Sequence, residues 1–233
     1  MKSIDIKQQA KLLGAKLCGI APIERFNDAP EGFGPLDLFP ETKSVIAFAK
    51  QVPKSTLHMS SPIPYTVLEH IILEETHRIA FEMMLYIENS GFSAAFVPSE
   101  PYEYWDEERK TGKGLVSLKH IAHRCGLGAF GNNHLLYNPK LGSLIKIGAV
   151  LTNATLEPDD MLEMKICKDN CKLCESKCPS GALTKDGVYQ YKCRGYSQRE
   201  TAKGDPIYSC NTCRRVCPNL SGFAYEGELS VYL

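Results

Sequence analysis

No stretch of this 233-residue chain approaches the roughly 18 consecutive apolar residues that a membrane-spanning helix needs. The opening MKSIDIKQQAKLLGAK has no apolar h-region, so no signal peptide is expected. The closing GELSVYL carries no lipidation motif. Charge excess is also absent, with 27 Lys and Arg against 27 Asp and Glu. A protein that tracks phosphates over its whole surface carries a basic surplus, so nucleic acid is not expected as a partner. Long repeats are missing, apart from one duplicated cysteine motif, and tryptophan occurs once, at Trp105. What is present is ordinary for a soluble globular protein: 43% apolar and 23% charged residues, enough for one large domain or a medium domain plus a small one.

Cysteine is the exception. Eight of the ten fall in the last 70 residues, as Cys167, Cys171, Cys174, Cys178-Pro179 and then Cys193, Cys210, Cys213, Cys217-Pro218. The core C-x-x-C-x-x-x-C-P occurs twice and is the bacterial signature for two 4Fe–4S clusters, in which the Cys before Pro ligates the other cluster. One cluster is therefore expected on Cys167, Cys171, Cys174 and Cys217, and the other on Cys178, Cys193, Cys210 and Cys213. The first run opens C-x-x-x-C, so the chain from Cys167 to Cys171 has to bulge. Structural zinc is the rival reading, because C-x-x-C pairs also build zinc ribbons, but those do not demand the Cys-Pro endings. A disulfide framework would need an oxidising compartment, which nothing indicates. Reduced thiols and two clusters point to the cytoplasm of an anaerobe, with a redox partner protein as electron donor. Cys18 and Cys125 lie outside the runs. Cys18 reads as a small buried hydrophobe, as does Cys125, whose neighbouring Gly-rich turn leaves a place beside a cofactor open.

Periodicity predicts helices over 3–14, 65–89 and 115–125, each ended by a glycine, and strands over 16–21, 44–50 and 92–98. Leu68, Ile71, Ile72, Ile79, Met83, Tyr86 and Ile87 form the core stripe of the long helix. Two apolar runs around Asn138-Pro139-Lys140-Leu141-Gly142 read as a β-hairpin. The fold class is α+β with a mainly antiparallel sheet, divided into 1–158 and 159–233. His70 and His77 read as surface or packing residues. His120 and His123, at i and i+3, could share a metal but have no Cys or carboxylate beside them.

The order GLG-x-x-G-x-N, then NPKLGS, then the first cysteine run, then the isolated Cys193 in KCRGYSQRE, then the second run, resembles epoxyqueuosine reductase over about residues 115–220. Related reductive dehalogenases share the arrangement. The resemblance implies a nitroreductase-like N-terminal domain that holds cobalamin, packed against a ferredoxin-like two-cluster domain. It also makes Gly126, Gly128, Asn133, Asn138, Gly142 and Ala149 the cofactor-binding residues. Two departures stand out. The family's acidic proton donor has no counterpart in TGKGLVSLKH, where Gly112 or Gly114 stands near the matching place, and Asp106, Glu107 and Glu108 read as a charged surface loop. Only about 15 residues follow the second run, so the family's helical-repeat extension, which helps grip tRNA, is not expected.

These readings converge on an oxidoreductase: a corrinoid-dependent iron–sulfur reductase of a small molecule, not a true epoxyqueuosine-tRNA reductase. Its proton donor and its substrate are left open. The alternative is a non-catalytic two-cluster electron carrier. A flavin in the N-terminal domain is a third reading, by fold analogy alone.

Overall fold

The apolar run Ser44–Gln51 shows no alternation because both of its faces are covered. In the computed structural model, which describes residues 1–185, 187–227 and 229–233, it is a central strand. Helix α1 (Ser3–Leu12) leads into β1 (Leu17–Pro22), a short α2 (Pro35–Leu38), β2 (Ser44–Gln51) and the long α3 (Ile63–Asn89). Then come β3 (Ala94–Val97), the small hairpin β4 (Tyr104–Asp106) and β5 (Thr111–Lys113), α4 (Leu118–Arg124), β6 (Ala129–Phe130), β7 (Leu136–Tyr137) and β8 (Ile145–Thr152). The main sheet runs β1-β2-β8-β3, antiparallel throughout, with Ala47 opposite Ala149 and Ala149 opposite Val97.

Successive side chains of β2 point to opposite faces. Ile46 and Phe48 enter a core with Ile6 and Ala10 of α1 and Ile79, Met83 and Ile87 of α3. Val45, Ala47 and Ala49 enter a second core with Ile121 and Ala122 of α4, Cys125 and Leu127. Both stray cysteines are interior packing. Burial pushes the Cys18 thiol up to about 12, and the Cys125 thiol donates to the Val45 carbonyl at 3.3 Å. Ile71, placed by its spacing in the core stripe, is 55% exposed; Ile72 and Leu73 are the buried residues of that turn.

The expected hairpin takes a different form. Asn138 and Gly142 make a single bridge, but β7 pairs with β6 while β8 joins the main sheet. The two apolar runs therefore diverge from a shared tight turn instead of forming one ladder.

After β8 the chain carries α5 (Leu173–Ser176), β9 (Leu183–Thr184), β10 (Gly187–Val188), α6 (Gln190–Ser197), β11 (Gln198–Glu200), β12 (Pro206–Tyr208) and α7 (Thr212–Arg215). These elements bury little of their own: none of the three helices contains a buried residue. The chain then returns to the main sheet. The Cys18 N–H donates to the Val231 carbonyl at 2.9 Å, and Val231 is 1% exposed in the core beside β1. Among the described residues no helix is long and apolar enough to cross a membrane.

Asp159 fastens this return. Its Oδ2 accepts the Ile20 N–H at 2.9 Å, and its Oδ1 accepts Lys7 Nζ at 2.5 Å and the Ser230 hydroxyl. Asp159 is 5% exposed, so Asp159→Ala strands a buried donor and a largely buried ammonium. The expected loss is about 2–4 kcal/mol, read from denaturant midpoints. A loss below about 0.5 kcal/mol, the scale of an ordinary surface substitution, would show that the network holds nothing.

Candidate functional site

Two short helical turns at the centre of the runs pack on each other: α5 holds Cys174, α7 holds Cys213, and both are followed by a Cys-Pro pair. The extra residue of the first run is absorbed at Asn170, which takes a left-handed φ of 59°. Asn is one of the few residues that visits that region readily.

The thiols fall into neighbourhoods. Burial pushes the Cys174 thiol up, with charge repulsion from Cys167 and Cys171 adding to it. Cys217 packs on Ala129, Tyr137 and Ile166, beside the start of the first run. Burial raises Cys193 too, reinforced by Cys210 and Cys178. Cys213 is pushed up to about 11, by burial first and then by Cys193. Cys178 shifts the other way: burial opposes its thiolate, but the Ser180 hydroxyl and the N–H groups of Ala182, Ser180 and Leu183 outweigh that. A thiol must be deprotonated to bind metal, and this turn of amides favours the charged form. Among the described residues no three His, Cys, Asp or Glu side chains converge on one ion. A cubane spreads its four thiolates over four separate irons, so eight cysteines in two neighbourhoods are a donor set of the right chemistry for two of them.

The six residues expected to hold a corrinoid have another role. Asn133 donates through Nδ2 to the Tyr137 hydroxyl at 2.9 Å and to the Cys213 carbonyl at 3.2 Å. Asn138, fully buried, donates to the Leu127 carbonyl at 2.8 Å and accepts the N–H groups of Lys140 and Leu141. A Cβ built on Gly128 would lie 2.4 Å from the Tyr137 carbonyl oxygen; on Gly126, 2.2 Å from that of Asp160; on Gly142, 2.1 Å from that of Leu220. Ala149 sits mid-strand, fully buried. These small residues let protein backbone approach protein backbone. They do not fit as the contact surface of a macrocycle.

That packing is the seam that carries the cysteine runs. Ser143 N–H donates to the Leu220 carbonyl at 3.1 Å and Phe223 N–H to that of Pro139 at 2.8 Å. Asn132 N–H reaches the Cys167 sulfur at 3.3 Å, and its Nδ2 reaches the Cys171 carbonyl. From α3, Glu69 faces Lys146 at 3.1 Å and Arg214 at 3.9 Å. Burial would raise its carboxyl pKa, but Lys146 and Arg214 outweigh that and hold it below the usual carboxylate range. The stabilisation is complete above the ordinary glutamate value of about 4.3 and is lost as pH falls through the lower folded value.

Beside the second run lies a cleft of about 650 Å³ lined by His70, Lys110, Gln198, Arg199, Glu200, Pro206, Ile207 and Tyr208. Its wall runs straight on into Cys210. The His70 and Tyr208 rings lie 5.9 Å apart, and the Thr66 hydroxyl fixes the Tyr208 N–H at 2.9 Å. Read from the sequence, His70 was only a surface or packing residue; no motif marks this cleft, because its lining comes from α3, the β4–β5 turn and the β11–β12 pair. His120 and His123 are engaged elsewhere, with the Ser117 hydroxyl and the Gly128 carbonyl. Near the place that matches the family's acid, Gly112 lies under the rings of Tyr102 and Trp105, and Asp106 caps its own turn by accepting the Arg109 N–H.

An antiparallel sheet between helices, with a cysteine-rich segment packed on the Asn138–Gly142 turn, recurs in solved structures. Over 92% of this chain it overlays a catabolic reductive dehalogenase with a TM-score of 0.69 at 19% identity, covering 31% of that chain. It overlays epoxyqueuosine reductase from Streptococcus thermophilus over 97% of this chain and 68% of that one (TM-score 0.64, 18% identity). In sequence it is similar to epoxyqueuosine reductase from Staphylococcus aureus, 34% identical over 145 residues, 58% of this chain and 37% of the relative. The Bacillus subtilis epoxyqueuosine reductase is 32% identical over 115 residues, 45% and 29% of the two chains. No family model matches. The resemblance to epoxyqueuosine reductases read from the cysteine runs and the GLG turn is thus real, and the chain spans about a third of the length of the curated relatives it matches.

Two expectations need correction. The relatives at these identities are epoxyqueuosine reductases, which overturns the reading that set this chain apart from them as a small-molecule reductase. A structural neighbour was solved with an epoxyqueuosine-modified tRNA stem loop (TM-score 0.66, 18% identity, 96% of this chain and 66% of that one), which overturns the exclusion of nucleic acid. The error was physical: net charge sums over the whole chain and is blind to a local basic surface.

Gly142 tests the seam. It holds a φ of +57° with Leu220 backbone against it, whereas Gly181, at +61°, has open space around it. Gly181→Ala should cost about 1 kcal/mol for the left-handed backbone alone. Gly142→Ala should cost several times more and lower the iron retained per chain after anaerobic reconstitution. Equal effects of the two substitutions would contradict the seam.

Proposed function

We propose that this chain is an iron–sulfur reductase of the epoxyqueuosine reductase type, acting on a modified nucleoside carried in an RNA stem-loop. The observation that carries the reading is the cleft lined by His70, Lys110, Arg199, Glu200 and Tyr208, large enough for one nucleoside and walled by the segment that enters the second cysteine run. Similarity to epoxyqueuosine reductases supports the substrate class.

In this reading the N-terminal part is nitroreductase-like, and the segment from 159 onward is ferredoxin-like with two cubane clusters. The ligands are Cys167, Cys171, Cys174 and Cys217 for one, and Cys178, Cys193, Cys210 and Cys213 for the other. Bound there, the clusters supply electrons one at a time. The residues of the chain do the rest. Lys110 and Arg199 hold the anionic backbone of the substrate at the rim of the cleft. The His70 and Tyr208 rings offer a stacking surface for the base, and His70 supplies an exchangeable proton within the cleft. An enzyme that works on a base in structured RNA takes that base out of the stack into such a pocket. One dehalogenase neighbour is described as B12-dependent. Because Gly126, Gly128 and Gly142 are packed against backbone here, the reading routes no step through a corrinoid.

Three outcomes test it. Anaerobically reconstituted protein should contain about eight iron and eight sulfide per chain, as two 4Fe–4S clusters require; protein that takes up only zinc refutes the clusters. Cys178→Ala should abolish the magnetic-resonance signal of the cluster completed by Cys193, Cys210 and Cys213 and spare the other. Given a strong reductant and an epoxyqueuosine-containing stem-loop, the protein should convert the nucleoside, scored by mass spectrometry of the digest. His70→Gln should slow conversion by about 10²-fold or more at unchanged iron content. Absence of turnover by fully loaded wild-type protein would refute the assignment.

A further inference from the structure

The segment Tyr189–Arg199, YQYKCRGYSQR, carries three tyrosines and three cations and no acid. Soluble proteins bury aromatic rings or scatter them singly. Here Tyr189, Tyr191 and Tyr196 are exposed by 45%, 46% and 37%, and each lies under a cation. Lys192 Nζ sits 5.2 Å from the Tyr189 ring and 5.9 Å from that of Tyr191, while the Arg199 guanidinium lies 5.1 Å from Tyr196. Across from α6 the pattern recurs. Arg194 stacks 4.7 Å from Tyr102 and 4.9 Å from Trp105, and donates to the Tyr102 hydroxyl at 2.9 Å. Tyr102 and Trp105 are themselves stacked, 5.8 Å apart and 12° from parallel. Of the nearby carboxylates, Glu107 accepts Trp105 Nε1–H and Lys110, Asp106 accepts the Arg109 N–H, and Glu200 follows Arg199 on the cleft side.

We infer that the exposed rings of the Tyr189–Arg199 segment form a stacking platform for single-stranded RNA, which guides the loop of the stem-loop toward the adjoining cleft. The inference rests on the RNA reading above and deepens it by naming the surface that grips the loop. Bases without partners stack on aromatic rings and guanidinium planes, and neighbouring cations neutralise phosphates. A duplex buries those base faces and cannot use the platform. The cations Lys192 and Arg199 hold the Tyr189, Tyr191 and Tyr196 rings in place while much of each ring stays exposed. Arg199 belongs to both platform and cleft, so a strand lying along α6 reaches the cleft without a gap.

The test uses the reconstituted holoprotein under anaerobic conditions. Three labelled RNAs are compared by fluorescence anisotropy: a stem-loop, the same stem closed as a perfect duplex, and the stem-loop with an abasic loop. Wild type should bind the stem-loop at least tenfold more tightly than either of the others, and only the stem-loop should quench the emission of Trp105, the single tryptophan. Tyr191→Ala and Tyr196→Ala should each weaken stem-loop binding by fivefold or more, with iron content unchanged, while Lys11→Ala on α1 should not. If wild type binds the stem-loop but both tyrosine variants bind equally well and Trp105 emission does not respond, the platform falls and the RNA reading stands. If duplex and abasic RNA bind as tightly as the stem-loop, stacking is not the mode of binding and the platform falls. If wild type binds no RNA, both readings fall.

Discussion

None of the eight thiols in the cysteine runs is fully buried, and the segment that carries them has little core of its own. Helices α5, α6 and α7 contain no buried residue. Whatever holds them in place must be borrowed from the sheet domain, and the tight turn from Asn138 to Gly142 is where most of it is borrowed. Gly142 lets the Leu220 backbone approach closer than any side chain would allow. Asn138 closes the turn from within, and Asn133 and Asn132 extend the contact to the carbonyls of Cys213 and Cys171.

The same constraint explains the chemistry around the site. A seam joined by backbone hydrogen bonds and small residues has few degrees of freedom and keeps the thiols of the cysteine runs in fixed places. Charged side chains then act at its margins. Glu69 joins α3 to β8 and α7 through Lys146 and Arg214, and Asp159 ties the returning C-terminal segment to β1 and α1. The cleft lies beside Glu69, between α3, the β4–β5 turn and the β11–β12 pair.

Burial reassigned the residues singled out for a large flat cofactor. Glycines beside a turn serve close approach of any kind, and sequence alone does not say whether the approaching surface is a ligand or another stretch of backbone. Here it is backbone, at Tyr137, Asp160 and Leu220. Net charge misled in a parallel way. A sum of zero is compatible with the cationic, aromatic segment Tyr189–Arg199, since opposite charges elsewhere cancel it.

The sequence by itself determined the cysteine spacing, the bulge that Asn170 accommodates, the long helix, the doubly buried strand Ser44–Gln51 and the α+β class, because each depends on local geometry or a short-range period. It also carried the resemblance to epoxyqueuosine reductases, in the order of its motifs. Only the tertiary structure decided that the runs on either side of Asn138–Gly142 enter different sheets, that Ile71 faces solvent, and that His70 and Tyr208, 138 positions apart, share one cleft. Those outcomes depend on which surfaces the folded chain brings together, and contacts between distant segments leave no period or spacing in a single sequence.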